Sequence, residues 1–135
     1  MRIIKFSILL IFLNCGGFLI AQEGIRQKII EIAVIEEKVM MPMRDGVRLA
    51  TDIYRPKTDQ KVPIIFSRTP YNFNRWGDDK ERTRTMERAY EALKRGYAYV
   101  VQNERGRYFS EGVWDILGIP LTDGYDAFSW MQEQE

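Results

Sequence analysis

The chain has 135 residues, 20 basic against 19 acidic, and no histidine. That balance excludes bulk attraction to nucleic acid or anionic membrane, and the lack of imidazole excludes a histidine base or histidine-ligated metal within these residues. With 45% hydrophobic residues, 13% aromatic residues and 5 prolines, the composition is that of a chain with a core rather than of a disordered segment.

Arg2 and Lys5 precede an apolar run from Phe6 to Leu13, which resumes at Phe18 to Ala21 after Asn14, Cys15, Gly16 and Gly17. This is the pattern of a secretory leader over residues 1–21, and it implies export to the periplasm or beyond. A spanning helix needs about 20 unbroken apolar residues, which disfavours the alternative of a retained N-terminal anchor, and no stable membrane insertion is expected once the leader is removed. Cys15 follows Phe-Leu-Asn, a poor match to a lipoprotein signal, which asks for small residues there. Removing the leader takes away the only cysteine and leaves 18 basic against 19 acidic residues. The mature chain then has no disulfide and must rely on its core, as in a periplasmic or secreted enzyme.

Residues 22–33 carry no clear signal and read as an N-terminal arm of undefined structure ahead of a folded unit over 34–135. Val34 to Met43 and Val47 to Tyr54 read as two strands joined by Arg44-Asp45-Gly46, a β-hairpin. Val62 to Ser67 reads as a buried strand, and Pro70 holds Thr69 out of helix to make a loop. From Asp79 to Arg95 the pattern is helical. Met86, Ala89, Tyr90 and Leu93 share a face, Asp78, Asp79 and Glu81 lie at the start, Lys94 and Arg95 at the end, and Gly96 closes it. Arg82, Arg84 and Arg88 are interleaved with Glu81, Glu87 and Glu91, the mark of a solvated face rather than of a phosphate site.

Tyr97 to Gln102 is a continuous apolar run that reads as a strand buried on both faces. After a loop from Asn103 to Trp114, Thr122 or Asp123 caps a last helix with Tyr125, Phe128 and Met131 on one face. Hairpin, strand, helix, strand, helix is the order of an α/β fold, a mixed sheet with parallel core strands covered by helices. A parallel sheet needs more strands than the two present here, so a longer chain or partner strands are expected.

Five segments in order carry a family likeness: Met41-Pro42-Met43-Arg44-Asp45-Gly46-Val47-Arg48-Leu49, Tyr54-Arg55-Pro56, Arg68-Thr69-Pro70-Tyr71, Gln102-Asn103-Glu104-Arg105-Gly106 with Ser110-Glu111-Gly112, and Asp123-Gly124-Tyr125-Asp126-Ala127 with Trp130. From about Val39 to Glu135 the chain resembles the serine hydrolases grouped around cocaine esterase, α-amino-acid ester hydrolases and X-Pro dipeptidyl-peptidases. The resemblance implies the N-terminal portion of an α/β-hydrolase that cleaves an ester, an amide or a short peptide, with Xaa-Pro bonds among the candidates, through an acyl-enzyme. Relatives continue into a Gly-x-x-Gly-x-Ser-Tyr nucleophile elbow, with the acid and histidine later. None of these lies here, and Ser67, Ser110 and Ser129 have no elbow setting.

The resemblance also implies that the Tyr71 hydroxyl is the second oxyanion-hole donor. From the residues alone, Tyr71 either packs under its loop or acts as a stiff neutral donor held by Pro70. Arg105 either lines the substrate cleft or pins the loop through an ion pair or carbonyl contacts. Asn103 departs from the aspartate usual in relatives, which puts the pairing of Arg105 in doubt and leaves Glu104 or Glu111 as substitutes. Phe73, Trp76 and Trp114 either contact an apolar part of the substrate or pack the loops.

No metal or organic cofactor is expected, since there is neither a ligand cluster nor a Gly-rich phosphate loop. A rival reading is a non-catalytic periplasmic binding or interaction module. A small nucleotide-binding α/β protein would need a Gly-x-Gly-x-x-Gly turn, and the sequence has none.

Overall fold

The computed structural model describes residues 24–73, 79–116 and 121–134. Residues 1–21, read above as a leader, with Cys15, and also Trp76 and Asp78, lie outside the described residues. Among the described residues no helix is long and apolar enough to cross a membrane.

A helix over residues 24–32 (α1) leads into β1 (Ala33–Pro42) and β2 (Arg48–Pro56). These are followed by β3 (Ile64–Thr69), α2 (Asp79–Lys94), β4 (Ala98–Asn103) and α3 (Leu121–Gln132). The stretch read as an undefined arm is therefore helical, and its Ile29 is fully buried in the core. Ile25, Ile29 and Ile32 stand at i, i+4 and i+7, a helical spacing in the sequence, and Ile29 with Ile25 packs into the core.

The four strands form one sheet in the order β1-β2-β4-β3. β1 pairs antiparallel with β2 through the three-residue turn Arg44 to Gly46, where the Gly46 amide donates to the Met43 carbonyl at 2.9 Å. The ladder is interrupted between Glu36 and Val39, where the Lys38 amide donates to the Asp52 carboxylate at 2.8 Å. β3 and β4 are parallel with Thr69 opposite Asn103, so both strands end at the same edge. α2 makes the crossover between them. At its end the Gly96 amide donates to the Leu93 carbonyl and the Tyr97 amide to the Ala92 carbonyl. That double closure requires the left-handed backbone seen at Gly96, where φ is +80°.

Core lies on both faces of the sheet. Ile29 of α1 and Met86, Ala89, Ala92 and Leu93 of α2 pack with Tyr54, Tyr99 and Val101 on one face. Ala127 and Met131 of α3 pack with Met41, Leu49 and Val100 on the other. β4 is buried throughout, as its apolar run predicts. β3 is not: Ile64 is 40% and Ile65 41% exposed, because β3 lies at the sheet edge with one paired side. The helical face of α3 also differs from expectation. Asp123, Ala127 and Met131 are buried, while Tyr125 is exposed and Phe128 reaches only the edge of Phe66, at 5.4 Å between rings. Of the arginines along α2, Arg84 and Arg88 are exposed, as a solvated face requires.

Candidate active site

In parallel α/β sheets ligands gather at the carboxyl ends of the strands, where the strand-to-helix loops converge. Here that edge is made by Thr69 and Asn103, and Tyr71 stands two residues beyond β3. Its side chain is 70% exposed, so it does not pack under the loop. The backbone carrying it is tightly held. The Tyr71 amide donates to Thr69 Oγ1 at 3.1 Å, Asn103 Nδ2 donates to the Tyr71 carbonyl at 2.9 Å, and Arg107 Nε donates to the Pro70 carbonyl at 3.0 Å. The Glu104 amide donates to the Thr69 carbonyl at 3.1 Å. A hydrogen-bonded backbone thus presents an exposed phenol to solvent.

A groove of about 1030 Å³ lies elsewhere, bounded by Ile53, Ile64, Ala98, Val100 and Trp130. It opens at the amino ends of β3 and β4, away from Tyr71.

The loop after β4 is built as an extension of the hairpin. Ser110 Oγ accepts from the Ala50 amide at 2.9 Å and donates to the Asn103 carbonyl at 2.9 Å. The Gly106 amide donates to the Glu111 carbonyl at 2.8 Å and the Glu111 amide to the Arg48 carbonyl at 2.9 Å. Gly106 has φ +68°, and a Cβ there would lie 2.2 Å from the Trp114 amide nitrogen, so only glycine lets the two limbs of the loop close.

Arg105 takes the structural of its two readings. Nη1 donates to Asp45 at 2.7 Å, and Nε and Nη2 donate to Asp123 at 3.2 and 2.7 Å. Its partners are neither of the glutamates proposed as substitutes. Glu104 accepts from Trp114 Nε1 at 3.1 Å, and Glu111 pairs with Arg48. Asn103 does not touch Arg105; it is fully buried, and its amide serves the Tyr71 loop. Hydrogen bonds to the two carboxylates hold the Arg105 guanidinium even more firmly charged than usual.

Arg68, half-buried at the end of β3, donates through Nε and Nη2 to Gln102 Oε1 at 3.1 and 2.9 Å. Burial pulls its pKa down, opposed by the field of Asp123 and Glu104. Phe73 is a core residue, buried beside Met86, and Trp114 packs its ring against the Arg107 guanidinium at 4.6 Å. Neither is a free substrate contact. The positioning roles of Asn103, Arg107 and Ser110 escaped sequence reasoning. The signal was that polar Asn103 closes the strand after Tyr99, Val100 and Val101 and that Arg107 and Ser110 follow in its loop.

Three carboxylates around the hairpin and the β4 loop are held below their ordinary values, each chiefly by an arginine hydrogen bond: Asp45 by Arg105, Glu111 by Arg48 and Asp126 by Arg44. A depressed folded-state pKa contributes stability that is present above the unfolded value, about 4, and is lost as pH falls through the lower folded value. The urea midpoint should therefore be flat in these groups above pH about 5 and fall below about 4. Asp45→Asn should lessen that fall; an acid drop as steep as in the parent protein would show that Asp45 takes no part in it.

Residues 45–135 match the X-Pro dipeptidyl-peptidase (S15 family). Cocaine esterase of Rhodococcus sp. (strain MB1 Bresler) is 40% identical over 101 residues, covering 74% of this chain and 17% of that protein. Two solved structures, an aminopeptidase from the marine sediment archaeon Thaumarchaeota archaeon and an α-amino acid ester hydrolase, each share 34% identity at a TM-score of 0.55. Each match covers 73% of this chain and 18% of the other, so the chain spans less than a fifth of the length of these relatives. The match begins at Asp45, the hairpin residue that holds Arg105, and runs through the loop bearing Tyr71 and on through α3; the chain belongs to the S15 family of X-Pro dipeptidyl-peptidases.

Proposed function

We propose that these residues supply the first strands and one oxyanion-hole donor, the Tyr71 hydroxyl, to a serine hydrolase that cleaves ester or amide bonds, Xaa-Pro peptide bonds among the candidates. The observation that carries this is an exposed phenol on a loop held by hydrogen bonds on both sides of the Tyr71 Cα, at the carboxyl edge of two parallel strands. The names of the relatives, an esterase, an ester hydrolase and an aminopeptidase, support both bond types.

In such a reaction a serine oxygen adds to the substrate carbonyl as a base removes its proton, and the carbonyl oxygen becomes an oxyanion. Tyr71 would donate to that oxygen. Collapse expels the alcohol or amine with a proton, and water then releases the acid. With no histidine in these 135 residues, nucleophile and base come from residues outside them. Ser110 has both its donor and an acceptor position spent within the loop, while Ser67 and Ser129 sit inside β3 and α3.

A fluorophosphonate probe and p-nitrophenyl ester assays test this reading. The 135-residue chain should neither label nor turn over, whereas a polypeptide that also carries the nucleophile and histidine should do both. Labelling of Ser67, Ser110 or Ser129 would overturn the assignment.

A further inference from the structure

We propose that Asn103 and Arg107 are positioning residues for Tyr71, holding the two peptide planes on either side of its Cα and so fixing the direction in which its side chain leaves the loop. The inference rests on the reading of Tyr71 as oxyanion donor. The Pro70 carbonyl belongs to the plane before the Tyr71 Cα and takes Arg107 Nε at 3.0 Å; the Tyr71 carbonyl belongs to the plane after it and takes Asn103 Nδ2 at 2.9 Å. With both planes held, φ and ψ of Tyr71 are held, and with them the direction of its Cα–Cβ bond. Solvent exposure leaves the ring without packing to do that job.

Each anchor is itself fixed by contacts unconnected with Tyr71. Asn103 ends β4, is fully buried, and has its carbonyl bound by Ser110 Oγ. Its Oδ1 is buried and meets no donor among the described residues. An unpaired buried acceptor is costly, and an apolar side chain of similar shape would fill the space without that cost. What the amide contributes is its hydrogen bond to the loop. The Arg107 guanidinium lies 4.6 Å from the centre of the Trp114 ring and 5.2 Å from that of Tyr108. Trp114 is in turn fixed by Glu104, and Tyr108 is held at φ +52°, a region that bulky residues seldom occupy. These contacts hold the guanidinium whose Nε donates to the Pro70 carbonyl.

Loss of either anchor frees one peptide plane and lets the hydroxyl move, and a displacement of about 1 Å costs up to roughly a hundredfold in rate. The test is a pair of double-mutant cycles on the active enzyme that contains these residues. Asn103→Leu and Arg107→Met are each made alone and with Tyr71→Phe, and kcat and KM are measured with an ester substrate. Alone, each should lower kcat by about tenfold to a hundredfold with KM little changed. In the Tyr71→Phe background the same changes should lower kcat by less than about threefold, since residues acting through one group do not add.

Equal losses in both backgrounds would overturn the proposal while leaving the Tyr71 reading intact. Wild-type kcat in Tyr71→Phe would remove that reading and the proposal with it. If Asn103→Leu lacks the parent circular dichroism, the cycle at half-buried Arg107 decides alone.

Discussion

In an active enzyme carrying these residues, Tyr71→Phe is expected to lower kcat by roughly a hundredfold to a thousandfold, about 3 to 4 kcal/mol of transition-state stabilisation. KM should move far less. The phenol strengthens its hydrogen bond only as the carbonyl oxygen takes on charge, so its loss acts on the transition state and little on substrate binding. The hydrogen bonds that hold the loop at Thr69, Pro70 and Tyr71 do not use the hydroxyl. The ring is 70% exposed, so losing the oxygen leaves no buried partner unsatisfied and the thermal midpoint should stay within a degree or so of the parent. A variant retaining more than about a third of the parent kcat, far outside the loss expected for an oxyanion donor, would show that Tyr71 does not meet the oxyanion.

Arg105→Ala is expected to destabilise the fold by about 3 to 5 kcal/mol, the cost of removing one partner and leaving an uncompensated buried charge. Asp123 is 1% exposed and receives two hydrogen bonds from the Arg105 guanidinium. The same guanidinium reaches Asp45 in the hairpin turn, so one side chain joins the hairpin, the loop after β4 and α3. Arg105→Lys should recover little, because one ammonium cannot reproduce a fork that serves two carboxylates. Adding Asp123→Asn to Arg105→Ala should restore part of the loss, since it removes the orphaned charge. Urea denaturation of the single and double variants measures this. A loss under about 1 kcal/mol for Arg105→Ala, the range of an exposed ion pair, would show that Asp123 finds water or another partner.

These two side chains also mark what could be read beforehand. Tyr71 was found through the segment Arg68 to Tyr71 and its family likeness, and its chemistry as a stiff neutral donor is a property of the residue. The two readings of Arg105 were both visible in the loop, but the choice between them was not. Its partners lie 60 and 18 residues away, and only the sheet order β1-β2-β4-β3 brings the hairpin turn and the start of α3 to the same end as the β4 loop. Asn103 was read as a doubtful partner of Arg105, when its amide instead faces the neighbouring loop across the parallel register of Thr69 and Asn103.

The sequence by itself determined the elements whose signals are local. The Asp-Gly turn between alternating segments set the hairpin, the period of Met86, Ala89 and Leu93 with Gly96 set α2 and its end, and the unbroken apolar run set β4 as the buried parallel strand. The tertiary structure alone decided whatever depends on neighbours distant in the chain. It left β3 half-exposed at an edge, set the helix over 24–32 against the core through Ile29, and turned Asp123 rather than Tyr125 inward on α3. The physical reason is one of range. Turn chemistry and hydrophobic period act within about a dozen residues, whereas burial of a strand face and the pairing of a charge depend on which elements the topology sets side by side.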